Sequence, residues 1–160
     1  MSEQIDNQKQ IQIVVFKVAE EEFGLEIHKV KEIIKMVPIT PIPRTPSFIE
    51  GVINLRGQIV TVIDLAKRLN LKSNVVTNQS RIIVVTIDEV ALLGIVVDEV
   101  KEVLKLPEDA LERHPELISP EFQHSFLMAI AKQDKRLIML IEIANLFSPE
   151  ELKDLRSSKA

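Results

Sequence analysis

The stretch FIEGVINLRGQIVTVIDLAKRL, Phe48 to Leu69, decides the fold. It reads as strand, tight turn, strand and short helix. Gly51 opens the first run, and Val52, Ile53 and Leu55 are its apolar residues. Gly57 sits where the chain reverses, and a residue with no Cβ takes φ > 0 there at little cost. Gln58 to Ile63 is the return strand, with Ile59, Val60, Val62 and Ile63 placing apolar groups on both faces, as in a strand covered on both sides. Asp64 precedes Leu65, Ala66 and Leu69 at helical spacing, which makes it an N-cap. Arg56 breaks the apolar pattern beside the turn. A guanidinium is not buried without a partner, so Arg56 is expected to project from the hairpin tip. It is there either as a solvated turn residue or as a binding residue on a rigid support.

Composition narrows the rest. The chain has 160 residues, 46% of them apolar, with six Phe, no Tyr and no Trp. A chain this long buries roughly 70% of its unfolded surface, and a core of Val, Ile and Leu favours strands. The net charge of −4 argues against a nucleic-acid or anionic-membrane surface. Without Cys there is neither a disulfide framework nor a thiolate metal site. The polar first ten residues lack the apolar core of a signal peptide. The longest apolar run, Val90 to Val97, falls far short of the ~20 residues a spanning helix needs. These features predict a soluble, cytoplasmic protein.

In chain order, residues 1–10 read as a disordered lead-in and Ile11 to Val18 as a strand that becomes more buried along its length. Glu20, Glu21 and Glu22 mark a turn. Phe23 to Ile27 is a strand, with Gly24 at a bulge or a close approach. His28 to Met36 fits a helical turn followed by a strand from Glu32. Pro38, Pro41, Pro43 and Pro46 make an extended, stiff connector. The polar segment from Leu71 to Ser80 sets a subdomain boundary. Beyond it come strands at Arg81 to Ile87, Val90 to Val97 and Val100 to Leu106, then short helices at Pro107 to His114 and from Ser119-Pro120. A hairpin turns at Asp134-Lys135. Ser148-Pro149-Glu150-Glu151 fits a capping box, opening a helix to about Arg156. The expectation is a mainly β fold of two small barrels, residues 11–72 and 80–147, sharing a core and with the first strand a candidate to serve both. Residues 148–160 form a terminal helix and tail. Barrels remove vulnerable strand edges.

No catalytic constellation assembles. The four glycines are isolated, which excludes a phosphate-cradling loop; GxSxG and HExxH are absent. His28, His114 and His124 lie far apart, as exposed or capping residues rather than metal ligands. The reading is a non-enzyme without cofactor or metal, working through its surfaces.

The run GVINLRGQIVTVIDL, followed by LLGIVVDEVKEVL, resembles the CheW-like family of chemotaxis coupling proteins. The resemblance runs from about Ile11 to about Leu146. Thr61 stands where the family usually has proline, which bears on local strand geometry. The resemblance implies two five-stranded SH3-like barrels and a scaffold linking the cytoplasmic tips of membrane chemoreceptors to the regulatory domain of the histidine kinase CheA. It implies a chain that is monomeric alone and part of an array at the membrane. It assigns partner contacts to Val30 and Glu32 in Val30-Lys31-Glu32-Ile33, to Arg56, and to Val100 and Val103. Leu93 lies in the matching strand, and Thr40 matches less securely. Gly51, Gly57 and Gly94 are its structural turn glycines. Leu93, Val100 and Val103 also fit simple core positions.

Three rivals frame these expectations. A related adaptor could serve a kinase pathway controlling surface motility or gene expression. An oligonucleotide-binding barrel needs a basic groove and stacking aromatics, against the composition. A hydrolase needs carboxylates converging in a pocket.

Overall fold

The computed structural model describes residues 9–72, 75–88, 91–113 and 126–157. Among these residues the strands are β1 (Gln10–Val18), β2 (Glu21–Glu26), β3 (Val30–Lys35), β4 (Ile49–Leu55), β5 (Gln58–Asp64), β6 (Arg81–Thr86), β7 (Leu92–Val97), β8 (Glu99–Pro107), β9 (Leu111–Glu112), β10 (Leu127–Gln133) and β11 (Arg136–Ile141). Helix α1 (Leu65–Arg68) follows β5, and α2 (Pro149–Ser157) ends the described chain. Asp64 caps α1 by accepting from the Lys67 N–H at 3.3 Å. The capping box at α2 is made in both directions: the Glu151 N–H donates to Ser148 Oγ at 3.1 Å, and the Ser148 N–H to Glu151 Oε1 at 2.8 Å.

The strands form two sheets, ordered β3-β6-β7-β5-β4 and β8-β1-β2-β11-β10-β9. The division does not fall at the polar segment 71–80, as the sequence suggested. That segment connects α1 to β6 within the first sheet, whereas β1 and β2 at the chain start pair with β8 and β11 near its end. Strand partners are fixed by which backbone edges meet in space, and a composition break cannot report that.

Each sheet is closed by the continuation of its own first strand. After β3, Thr40 bridges back to Val52 of β4, with both N–H to O distances 2.9 Å. After β8, β9 pairs with β10. Both closures leave fewer unpaired edges. Alternation along the strands then makes three cores. Ile53, Val60, Val62, Ile82 and Val84 fill the first barrel. Ile13, Val15, Leu104, Leu106, Ile138 and Leu140 fill the second. The opposite faces of the same strands, with Phe16, Phe23, Ile63, Ile83, Val85, Leu93 and Ile95, pack between the two.

The barrels repeat one another residue by residue. Val30 pairs with Val85 and Glu32 with Val84, leaving Lys31 as the extra residue of a bulge. Val100 pairs with Phe16 and Glu102 with Val15, leaving Lys101 in the same role. Gly94 lies between Val84 and Val62 just as Gly24 lies between Val15 and Leu140. In chain order the second barrel is a circular permutation of the first.

Several local expectations change. Gly24 is a close approach rather than a bulge: an added Cβ would stand 3.1 Å from Ile13 Cδ1, and the register is continuous across it. Gly94 is no turn; it lies mid-strand, where a β-carbon would stand 3.0 and 3.1 Å from methyls of Ile82 and Val62. The turn after β1 is made by Ala19 and Glu20, both with positive φ, and β2 begins at Glu21. β3 starts at Val30, two residues before the expected Glu32, because a 3-10 turn over Ile27–Lys29 already ends the preceding segment. Of the helix expected from Pro107, residues 108–112 give instead one 3-10 turn, Glu108–Ala110, and then β9, since closure of the barrel demands a strand there. The proline connector is not extended throughout: it bends near Arg44, whose φ is +64°. Thr61 sits in a strand paired on both sides, with no register shift at its own position. Ser119-Pro120, His114 and His124 lie outside the described residues.

Candidate functional site

The β4–β5 hairpin places Arg56 at its tip. Arg56 and Gly57 have φ of +52° and +86°, the pattern of a tight turn whose twist suits the flanking strands. The Gly57 N–H donates to Asn54 Oδ1 at 2.7 Å and fixes the turn. Gly57 meets the expectation of a turn glycine. A β-carbon at positive φ is disfavoured, so the fold tolerates an unfavourable residue at position 56. Local strain of this kind gathers at functional positions.

Arg56 is exposed, and its guanidinium is ion-paired with the Glu32 carboxylate on β3. The hydrogen bond to Glu32, and then its charge, hold the guanidinium pKa above its ordinary value. Two residues that the sequence singled out far apart thus meet at the mouth of the first barrel. Thr40 and Gly51 also meet, through the closing bridge and its neighbour, so Thr40 holds the barrel shut. Gly51 is not at a turn; it follows the bulge near the start of β4, with φ of +145°. Val30 and Val100 occupy equivalent positions, both half-buried against the core between the barrels.

Two expected contact residues separate. Val103 is 52% exposed on β8, whereas Leu93 is fully buried in the central core and offers no surface to a partner. Both faces of β7 are covered: Leu93, Ile95 and Val97 pack into the core between the barrels, and Leu92 and Val96 against the core of the first barrel.

The repeat supplies residues the sequence reading passed over. Glu102 stands where Glu32 stands in the first barrel, and it too takes an arginine from the facing hairpin: Arg136 Nη1 lies 2.7 Å from Glu102 Oε2. Arg136 also donates to Glu22 Oε1 from Nε at 3.1 Å and from Nη2 at 2.9 Å. Burial works to lower the Arg136 pKa, but the bonds to Glu102 and Glu22 outweigh it and the net shift is upward. Arg136 is therefore held on two sides, while among the described residues Arg56 pairs with one carboxylate and keeps a side chain 70% exposed. Each barrel also exposes a matched apolar pair, Ile33 and Ile59 on the first, Val103 and Leu137 on the second. The signal was present in the string Val-Lys-Glu-Ile at 30–33 and Val-Lys-Glu-Val at 100–103.

Among the described residues no group of His, Cys, Asp and Glu is placed to hold a metal ion. A model of the CheW-like domain family matches residues 12–151. The chain belongs to the CheW-like family. Its similarity extends to the probable chemotaxis protein CheW of Rhizobium etli, 37% identical over 91% of this chain and 92% of that protein. It extends also to the chemotaxis protein CheW of Bacillus subtilis, 36% identical over 81% and 82%. Among solved structures, the scaffolding protein CheW of Thermoanaerobacter tengcongensis superposes with a TM-score of 0.79 at 42% identity, covering 88% of this chain and 94% of that one. The mainly β, two-subdomain architecture of this CheW-like chain is thus shared with a solved relative. Protein FrzA of Myxococcus xanthus is 36% identical over a shorter span, 58% of this chain.

Proposed function

We propose that this chain is a non-catalytic adaptor that couples the cytoplasmic tips of chemoreceptors to the regulatory domain of a CheA-type histidine kinase, acting in the cytoplasm at membrane-bound arrays. The observation that carries the reading is one arrangement repeated in both barrels: a carboxylate just after a β-bulge, Glu32 or Glu102, ion-paired with an arginine of the facing hairpin, Arg56 or Arg136, on barrels that each leave apolar side chains exposed, Ile33 and Ile59 on the first, Val103 and Leu137 on the second. Two similar but unequal faces on one monomer suit head-to-tail contacts that build larger assemblies. The half-buried Val30 and Val100 between the barrels provide an apolar seam for one face of a helical partner. In this reading attachment to an array runs through protein contacts; no helix among the described residues is long and apolar enough to cross a membrane. Arg56 is the residue we assign the largest share of partner binding, being exposed, presented on a tight turn and held by one carboxylate among the described residues.

The test is a titration of the chain against the isolated regulatory domain of a CheA-type kinase from the same cell, beside Arg56→Ala with folding checked by circular dichroism. Saturable one-to-one binding supports the adaptor reading; no binding at tens of micromolar removes the kinase partnership. A second reading keeps the adaptor and changes the pathway to one controlling surface motility or gene expression. Binding to the regulatory domain of a kinase outside chemotaxis, in preference to the chemotaxis kinase, selects it.

A further inference from the structure

The two sheets end on equivalent strands, β3 and β8. Among the described residues each pairs with a neighbouring strand along one side only, β3 with β6 and β8 with β1. The other side is a free edge, which invites pairing with a second chain. Each edge strand also exposes an apolar residue in mid-strand, Ile33 at 39% and Val103 at 52%. The strings around them match: Val30-Lys31-Glu32-Ile33-Ile34-Lys35 and Val100-Lys101-Glu102-Val103-Leu104-Lys105. A lysine thus stands two residues before and two residues after each exposed apolar residue, the spacing that shares one side of a strand. All four lysines are exposed, and none is ion-paired among the described residues. The carboxylates within the two strings are held elsewhere, Glu32 by Arg56 and Glu102 by Arg136.

We infer that these lysines are guards: they keep a second copy of this chain from adding to either sheet by strand pairing. An antiparallel pairing that sets the apolar residues opposite each other brings lysine opposite lysine on both sides of them. Between two copies of β3, Lys31 meets Lys35. Between two copies of β8, Lys101 meets Lys105. When β3 meets β8, Lys31 faces Lys105 and Lys35 faces Lys101. Like charges directly opposite destabilise a strand pair. A slip of two residues sets a lysine against the apolar residue instead and gives up the apolar contact. The bulges at Lys31 and Lys101 bend and twist the same edges, which opposes pairing further. The inference goes beyond the adaptor reading and does not depend on it.

The test measures self-association of the whole chain by sedimentation, together with amide hydrogen exchange. Lys31→Thr with Lys35→Thr unguards β3, and Lys101→Thr with Lys105→Thr unguards β8. Lys72→Thr with Lys135→Thr removes two exposed lysines that lie off both strands and serves as the control. Every pair makes the net charge of −4 more negative, so general repulsion works against association. The expected result is association of each edge variant at a concentration at least tenfold below wild type, with slowed exchange in the strand it unguards. The control should behave as wild type. Edge variants that associate no more readily than wild type overturn the inference. So does equal association of the control, or association without slowed exchange in the unguarded strand. Circular dichroism checks that each variant is folded; should a threonine pair unfold the chain, glutamine at the same two positions decides.

Discussion

The carbonyl oxygen of Thr40 occupies the space a β-carbon on Gly51 would need, with Thr40 C 2.7 Å and Ile39 Cγ2 2.9 Å from that position. Thr40 is held there by two backbone hydrogen bonds to Val52. The closure of the first barrel and the glycine are one feature, since the connector can approach β4 so closely only where β4 lacks a side chain. The second barrel closes through β9 at the equivalent place, and there β10 carries Ala129.

Gly51→Ala is therefore expected to cost at least about 2 kcal/mol, because a β-carbon meets backbone atoms and the φ of +145° strains any L-residue. Ala129→Gly, at the matching site, should cost about 1 kcal/mol, as usual for glycine in a strand. Chemical denaturation of the two variants checks the difference; equal losses would mean that the two closures are alike.

Arg56→Gly separates stability from binding. Glycine relieves the positive φ at the tip, and the ion pair it removes is solvent-exposed and screened. The thermal midpoint should equal or exceed that of wild type, while affinity for the kinase or receptor partner falls at least tenfold. A variant that binds normally would assign Arg56 to the turn alone.

Val103→Asp should leave the chain folded, with a shift of under about 1 kcal/mol, because the side chain is 52% exposed. Leu93→Asp should prevent folding, since it places an unpaired carboxylate in the central core at a cost of several kcal/mol. Circular dichroism melts distinguish them, and binding by the folded Val103 variant then reports on the exposed side chain alone.

Gly24→Ala and Gly94→Ala probe the repeat. Each places a methyl 3.0–3.1 Å from side-chain methyls inside its own barrel, and overpacking of this kind costs typically about 1–3 kcal/mol. Similar losses in the two variants are expected from matched environments; a loss in one only would show that the barrels tolerate crowding differently.

The strands were legible in the sequence because their apolar pattern is local, and so were the Asp64 cap, the Ser148–Glu151 capping box and the turn at Gly57. The family followed from two strings of residues. Arg56 could be read as exposed, since charge at a turn needs no tertiary information. What the sequence by itself determined, then, is the longer strands, the tip residue and the kinship; β9 escaped it, because two residues carry too little pattern to tell a strand from a short helix.

Tertiary structure alone decided which strands share a barrel. β1 and β2 complete a sheet with strands far along the chain, and alternation says which residues share a face but not which sheet that face belongs to. The same limit left Leu93 open between core and contact, because an apolar residue in a strand gives the same signal whether its face is covered or bare. It also hid the partners of Arg56 and Arg136, whose carboxylates come from other strands. Hydrogen bonding and burial join residues through space, and only the folded chain brings Glu32 to Arg56, Glu102 to Arg136 and the Thr40 carbonyl against Gly51.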